Sequence, residues 1–268
     1  MANLEPLIQS IPVAPLKLAS LEGCRTLADQ VNNYLVSFRH ESPTNVGQAD
    51  SLQGYCADSY LLECECPRFG SGEGKGVLKE SVRGCDLFIM VDITNYSLTY
   101  KVCGHENHMS PDNHFQDLKR IISAADGKAR RINVIMPFLY EGRQHKRSKR
   151  ESLDCAMMLQ ELSNMGVDNF LTFDAHDSRV QNAIPLKSFE NVRPTYQMIK
   201  ACLKYNSDII LDAEDTLIVS PDEGAMGRCM YYSSVLGMDL GMFYKRRDYS
   251  KIINGKNPIV AHEFLGKD

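Results

Sequence analysis

The sequence predicts an α/β protein whose sheets are mainly parallel, and three observations favour this class. Residues 86–91 and 132–136 are apolar runs apart from Asp86 and Asn133, and such runs are typical of parallel strands buried on both faces. Segments with helical apolar spacing separate such runs, so strands and helices alternate along the chain. Charged and polar residues follow several of the predicted strands, and open α/β sheets bind their ligands beyond these strand ends.

The individual elements follow from the spacing of apolar residues. Residues 16–20 are predicted to form a strand, and residues 22–38 have the spacing of a helix. Short strands at 60–66 and 76–79 flank a glycine-rich turn, whereas residues 93–111 are expected to be irregular. The other predicted strands are 86–91, 132–136, 170–173, 216–219, 240–244 and 258–261, and the other predicted helices are 113–125, 152–165, 194–205 and 225–236.

The length of 268 residues is sufficient for two domains of about 100–200 residues each. We expect a leader over residues 1–15 and a first α/β domain over residues 16–188. A polar connection follows residue 184, and a second, partial domain is expected over residues 189–268.

Composition limits the class of protein. No apolar run approaches the roughly 20 residues that cross a bilayer, and the N-terminus lacks the pattern of a secretory signal. The nine cysteines are irregularly spaced, which favours reduced thiols in the cytoplasm over a disulfide framework. The formal net charge is −4, so a general affinity for nucleic acid is not expected.

The basic loop, residues 143–150, is the strongest local feature. Glu151 is the single acidic neighbour and cannot pair with every cation, so an anionic partner is expected. Phosphate suits it, because guanidinium groups bind phosphate oxygens bidentately and ammonium groups bind them as point charges. A solvated loop is the alternative, and few aromatic residues are present to stack RNA bases. The five cations are Arg143, Lys146, Arg147, Lys149 and Arg150.

Candidate metal ligands and catalytic cations also follow predicted strands. Asp174 and His176 come after one strand and Asp222 after another. Taken alone, Asp174 and His176 are more often structural, but together with Asp222 they suggest Mg²⁺ shared between protein and phosphate. Lys245 and Arg247 follow a third strand, where they are either a solvated turn or catalytic cations on a mobile lid.

A second set of side chains has the ligand types of a zinc site but not the spacing. These residues fall in a polar segment, and their separations match no common zinc motif, so metal binding is the weaker interpretation. The residues are Cys103, His105, His108 and His114.

The order of several motifs resembles the ribose-phosphate pyrophosphokinase family from about residue 16 to residue 268. Extra residues lie near 40–58 and 96–112. Each motif is modest alone, but their order and spacing are specific. The motifs are Arg68-Phe-Gly-Ser-Gly-Glu73, Glu80-Ser-Val-Arg-Gly-Cys-Asp86, Gly142-Arg-Gln-His-Lys-Arg147, Thr172-Phe-Asp-Ala-His176, Val219-Ser-Pro-Asp-Glu-Gly224 and Lys245-Arg-Arg247.

The resemblance implies two phosphoribosyltransferase-type domains and a specific reaction. The family transfers the diphosphoryl group of ATP to the 1-hydroxyl of ribose 5-phosphate, giving phosphoribosyl diphosphate and AMP. It implies Mg²⁺ as cofactor and a dimer-based oligomer, often a hexamer, in which a neighbouring subunit shares the adenine site. The implied residues are Phe69 and Glu73 for adenine, Arg143 and Gln144 for ATP with Lys146 and Arg147 of the same loop, His176 and Asp222 for Mg²⁺, and Lys245 and Arg247 for catalysis on a flexible loop.

The chain departs from the family pattern at several places. Ser71, His145 and His262 stand where the family usually has Asp. The acidic loop that holds ribose 5-phosphate in the family should begin just after residue 268, so we expect a truncated chain with an incomplete second domain. The alternative is a catalytically inactive, regulatory subunit that binds nucleotide or phosphate.

Overall fold

The chain divides into two compact units, Met1–Arg193 and Pro194–Asp268, which are described separately below. The predicted leader lies outside the described residues except for residues 14 and 15. The side chains of Glu41 and Arg247 are likewise outside the description. The structure is a computed structural model that describes residues 14–41, 54–206, 208, 211–212, 214, 216–248, 250–251 and 258–266.

Strands and helices alternate through the described residues. The strands are β1 (Leu16–Ser20), β2 (Leu61–Leu62), β3 (Cys64–Glu65), β4 (Val77–Leu78), β5 (Asp86–Met90), β6 (Thr99–Val102), β7 (His105–His108), β8 (Arg131–Ile135), β9 (Val167–Phe173), β10 (Ser188–Val192), β11 (Ile218–Ser220), β12 (Leu240–Arg247) and β13 (Ile259–Leu265). The helices are α1 (Arg25–Glu41), α2 (Pro111–Ala124), α3 (Asp154–Asn164), α4 (Thr195–Tyr205) and α5 (Met226–Leu236).

The first unit is built on a six-stranded sheet in the order β10-β9-β8-β5-β1-β2. Every neighbouring pair in this sheet is parallel, which confirms the predicted fold class. The strand order reverses between β1 and β5, and the carboxyl ends of all six strands lie along one edge. Ligands of open α/β sheets bind beyond that edge, so the loops that follow these strands are the first place to look for a site.

Helices cover both faces of this sheet. Leu18 of β1 packs against Cys24, which immediately precedes α1, and against Ala28 of α1, whereas the adjacent Ala19 belongs to the larger cluster on the other face. The cap of α2 is Ser110, whose hydroxyl accepts from the backbone N–H of Asn113 at 3.3 Å. The main apolar side chains that α2 and α3 bury in the larger cluster are Phe115, Leu118, Ile121, Ile122, Cys155, Met158, Leu159 and Leu162.

Two segments differ from the sequence prediction. Residues 93–111 were expected to be irregular, but β6 and β7 form an antiparallel hairpin there. Its turn residues, Cys103 and Gly104, have φ of 49° and 83°, which is the backbone of a two-residue hairpin loop. The expected polar connection contains β10, a half-exposed strand at the sheet edge. Because β10 pairs with β9, the first unit extends to Arg193 and not only to residue 188.

The second unit contains a three-stranded sheet in the order β11-β12-β13. Strand β12 pairs in parallel with β11 and antiparallel with β13. It continues to Arg247, three residues beyond the predicted end at residue 244, because the backbone of its second half pairs with β13. Among the described residues of the whole chain, none of the helices has the length and apolar content of a membrane span.

Candidate functional site

The basic loop lies between β8 and α3, at the carboxyl edge of the parallel sheet. The Arg143 guanidinium lies 5.9 Å from the ring centroid of Phe138. The side chains of the other four cations form no hydrogen bond or ion pair with any residue that the structure describes. All five are exposed, so their charges remain available to an anion at the sheet edge.

Hydrogen bonds within the loop hold it in this position. The side-chain amide nitrogen of Gln144 donates to the backbone carbonyl oxygen of Ser152 at 2.7 Å. Ser148 donates from its backbone N–H and its hydroxyl to Glu151, at 3.2 and 3.3 Å. Glu151, the acidic neighbour of the loop, is therefore bonded to Ser148, and it forms no ion pair with the five loop cations in the described part of the chain.

Tyr140 anchors the start of the loop to α2. Its ring stacks on Phe115 with centroids 4.5 Å apart, and its hydroxyl donates to the carboxylate of Asp112. Burial and this hydrogen bond raise the pKa of Tyr140, so the phenol stays neutral at physiological pH. Tyr140 thus fixes the start of the loop to α2.

His145 connects the basic loop to the segment after β9. Its ring lies against that of His176, with centroids 4.9 Å apart and planes tilted by 35°. Its Nε2 is 3.6 Å from the carboxylate of Asp177, and its side chain is 10% exposed. Its Nδ1 is buried without a hydrogen-bond partner among the described residues. The exposed His176 ring is therefore held beside the cations.

Asp177 stays ionised beside this pair. Arg179 donates to the Asp177 carboxylate from its side chain and from its backbone N–H, which is 2.9 Å away. These hydrogen bonds hold the pKa of Asp177 far below its ordinary value, although partial burial opposes them. The backbone turns sharply just before, since Asp174 has a φ of 46°.

The second unit places Asp222 and Lys245 together. The Lys245 ammonium donates to Asp222 at 2.9 Å, and this bond is the main reason that the pKa of Asp222 lies below its ordinary value. The other carboxylate oxygen accepts from the backbone N–H of Ala225 at 3.1 Å. Lys245 lies within β12, opposite His262 of β13, and not on a loop as expected. Arg247 closes β12, and its side chain is outside the description.

Phe69 and Glu73 share one compact turn of the first unit. This turn lies in the segment of residues 67–76, which we call the flap. The backbone N–H of Phe69 donates to the carbonyl of Glu73 at 2.7 Å, and the Ser71 hydroxyl donates to the Glu73 carboxylate at 2.8 Å. The Phe69 side chain is 55% exposed. The flap therefore holds two exposed residues, Phe69 and Glu73, in one turn closed by a backbone hydrogen bond.

Two of the four residues with zinc-ligand side chains contact backbone carbonyl oxygens instead. Nε2 of His114 is 2.7 Å from the carbonyl oxygen of Asn95, and Nδ1 of His108 is 2.9 Å from that of Tyr96. Within the described ranges, no three His, Cys, Asp or Glu side chains are grouped so that they could hold a metal ion. Of the candidate Mg²⁺ ligands, His176 belongs to the first unit and Asp222 to the second.

The pairing of His145 with His176 was missed by the sequence analysis. The two residues are separated by a helix and a strand, but β8 and β9 are neighbouring parallel strands. Their carboxyl ends must meet, and this is the signal that could have indicated contact between the two loops. The Asp222–Lys245 ion pair was also missed, because the parallel pairing of β11 with β12 was not inferred.

Comparisons with known proteins indicate a single enzyme family. The family model of the N-terminal domain of ribose phosphate pyrophosphokinase matches residues 16–166. The ribose-phosphate pyrophosphokinase of Staphylococcus saprophyticus is 26% identical over 219 residues, covering 76% of this chain and 62% of the relative. That of Clostridium perfringens is 28% identical over 201 residues, covering 72% of this chain and 57% of the relative. The chain thus spans about three fifths of these relatives.

A solved structure shares the fold. The crystal structure of phosphoribosylpyrophosphate synthetase from Mycobacterium smegmatis superposes with a TM-score of 0.67 at 22% identity. The match covers 92% of this chain and 67% of that one. The likeness therefore includes both units of the chain as far as their fold is concerned.

Proposed function

The chain belongs to the ribose-phosphate pyrophosphokinase family by its match over residues 16–166, and on that premise we propose that it is a ribose-phosphate diphosphokinase. It transfers the diphosphoryl group of ATP to the 1-hydroxyl of ribose 5-phosphate, which yields phosphoribosyl diphosphate and AMP for nucleotide synthesis. The observation that carries this proposal is the row of unpaired cations at the carboxyl edge of the sheet, with His176 beside them.

The basic loop binds the phosphates of ATP. Arg143 and Arg147 supply planar donors that match phosphate oxygens, and Lys146 supplies a point charge. Gln144 braces the loop through its bond to Ser152. Phosphoryl-type transfer depends on positioning and on stabilising charge more than on covalent help, so fixed cations are the main catalytic contribution of this unit.

His176 and Asp222 would hold Mg²⁺. Asp222 is ionised at neutral pH, since Lys245 lowers its pKa, and the His176 ring is exposed. Mg²⁺ commonly keeps several waters and binds phosphate oxygens as well, so it needs few protein ligands. When bound, the ion neutralises charge on the transferred group.

The remaining side chains act at the two ends of ATP. The Phe69 ring gives adenine an apolar face to stack on, and the Glu73 carboxylate beside it can accept a hydrogen bond from the adenine amino group. Lys245 and Arg247 neutralise charge as the diphosphoryl group moves to the ribose hydroxyl. These roles are assigned from the motifs that the residues occupy.

We also propose an oligomer in the cytoplasm. A flap that serves a neighbouring subunit's adenine site requires at least a dimer, which light scattering coupled to gel filtration would detect. The nine cysteines are all free thiols, and free thiols persist in a reducing compartment.

Formation of AMP from ATP tests the function directly. The assay contains Mg²⁺ and either ribose 5-phosphate or, as a matched control, ribose without its phosphate. Pentose-phosphate-dependent AMP supports the proposal. Binding of ATP without any AMP in either mixture contradicts it for this chain and leaves a nucleotide-binding, regulatory subunit in its place.

A further inference from the structure

The β6–β7 hairpin has one face turned towards the flap. Tyr100 and Val102 alternate along β6 with Thr99 and Lys101, and the first two are half-buried whereas the other two are exposed. The tight turn at Cys103 and Gly104 places the end of the hairpin next to the flap. Alternation along a strand means that Tyr100 and Val102 share this face.

Three contacts join the end and face of the hairpin to the flap. The backbone N–H of Cys103 donates to the carbonyl oxygen of Gly70 at 2.8 Å. Val102 packs so closely on Gly72 that a Cβ at that glycine would lie 2.8 Å from its methyl carbon. The ring of Tyr100 lies 5.1 Å from the Arg68 guanidinium, which is within the range of a cation–π interaction.

The other end of the flap is held by a buried ion network. Arg68 donates to one carboxylate oxygen of Asp117 at 2.8 Å, and Arg120 donates to the other at 2.6 Å. The Asp117 side chain is 7% exposed, so these charges are well shielded from solvent. Arg68, which is held by both Asp117 and Tyr100, immediately precedes the turn that presents Phe69 and Glu73.

We propose that the β6–β7 hairpin fixes the flap in its nucleotide-binding conformation, with Tyr100 and Val102 as positioning residues. A loop that is ordered before binding loses less entropy when the ligand arrives, so the hairpin raises affinity without touching the nucleotide. The inference rests on the proposed function in one respect, namely that Phe69 and Glu73 bind the adenine of ATP.

The test measures flap order and ATP affinity separately in the full chain. The variants are Tyr100→Ala and Val102→Ala, with Lys101→Ala as the matched control on the exposed face of the same strand. Hydrogen exchange at the Phe69 and Gly72 amides reports on the flap, since both donate within it. Calorimetry with ATP and Mg²⁺ reports on affinity. Tyr100→Phe keeps the aromatic face and is the conservative rescue.

We expect faster exchange at the two flap amides in both alanine variants and a roughly tenfold weaker Kd for ATP, which corresponds to about 1.4 kcal/mol. Lys101→Ala and Tyr100→Phe should match the unmodified chain. Exchange in β8 serves as the folding control and should not change.

Failure of this inference can be distinguished from failure of the proposed function. Unchanged flap exchange in both alanine variants overturns the positioning role whatever happens to ATP. Faster exchange with an unchanged Kd overturns the link between flap order and affinity. If the unmodified chain binds no ATP, the nucleotide site of the proposed function fails and so does this link, whereas faster flap exchange would still show that the hairpin orders the flap.

Discussion

The imidazole of His145 lies against that of His176, with ring centroids 4.9 Å apart and planes tilted by 35°. This contact links the basic loop, which follows β8, to the segment that follows β9. His176 is the candidate metal ligand of the first unit. The basic loop and that candidate ligand are therefore held by this ring contact and not only by their own strands.

Loss of the His145 ring should loosen this link. We expect His145→Ala to lower the free energy of unfolding by about 1–2 kcal/mol, because an aromatic contact and a nearly buried side chain are lost. His145→Phe keeps a flat ring and removes a buried nitrogen that has no partner among the described residues, so it should stay close to the unmodified stability. Chemical denaturation measures both, and equal losses in the two variants would contradict a stabilising role for the contact between the rings.

Lys245 is expected to act on the rate of AMP formation more than on ATP binding. Lys245→Ala should lower that rate by about 100-fold or more, as the loss of a group that stabilises the transition state does, with a nearly unchanged Kd for ATP. Arg246→Ala is the matched control, because the adjacent strand position points to the opposite face of β12. Arg247→Ala should behave like Lys245→Ala. A near-normal rate in either variant would exclude that residue from catalysis.

The unpaired cations should dominate ATP affinity. We expect the double variant Arg147→Ala with Lys146→Ala to weaken the Kd for ATP roughly tenfold or more, since hydrogen bonds to charged groups are worth about 1.5–3 kcal/mol. The loss should shrink as salt is added, because exposed charges are screened. Lys128→Ala removes a cation before β8, at the other end of the strand, and should leave the Kd unchanged. An equal effect of Lys128→Ala would reduce the loop to general electrostatics.

Much of the first unit could be predicted from sequence because its central strands are buried on both faces. Residues 86–91 and 132–136 are apolar except for Asp86 and Asn133, and both segments lie in the middle of the sheet as β5 and β8. Strand β10 was missed because an edge strand is half-exposed and carries polar residues. The β6–β7 hairpin was missed for the same reason, since every residue of β7 is exposed.

The candidate site was predicted in its residue types but not in its pairings. The cations of the basic loop were identified from charge alone, because no nearby acid could neutralise them. The partners of His145 and Lys245 depend on which strands are neighbours and on their register, which local patterns do not encode. The flap shows the same limit, since its support comes from Asp117 and the hairpin, both distant in sequence.

Burial should divide the cysteines into two reactivity classes. Burial is the main cause that raises the pKa of Cys66 to about 12 and that of Cys24 to about 11. The thiolate is the reactive form, so a raised pKa keeps these thiols unreactive at pH 8. Iodoacetamide followed by peptide mass spectrometry should therefore modify the exposed cysteines first, and these are Cys56, Cys103 and Cys202. Rapid alkylation of Cys24 or Cys66 in the folded chain would contradict this burial.

Gly76, at the end of the flap, should tolerate no side chain. A Cβ there would lie 2.4 Å from the backbone carbonyl oxygen of Arg120 in α2, and backbone cannot move aside as a flexible side chain can. We expect Gly76→Ala to lower the free energy of unfolding by about 1–3 kcal/mol, the usual range for overpacking. Gly70→Ala is the control, because a Cβ at Gly70 would meet no atom within 4 Å. Chemical denaturation compares the two, and equal stabilities would show that the flap does not pack on α2 at Gly76.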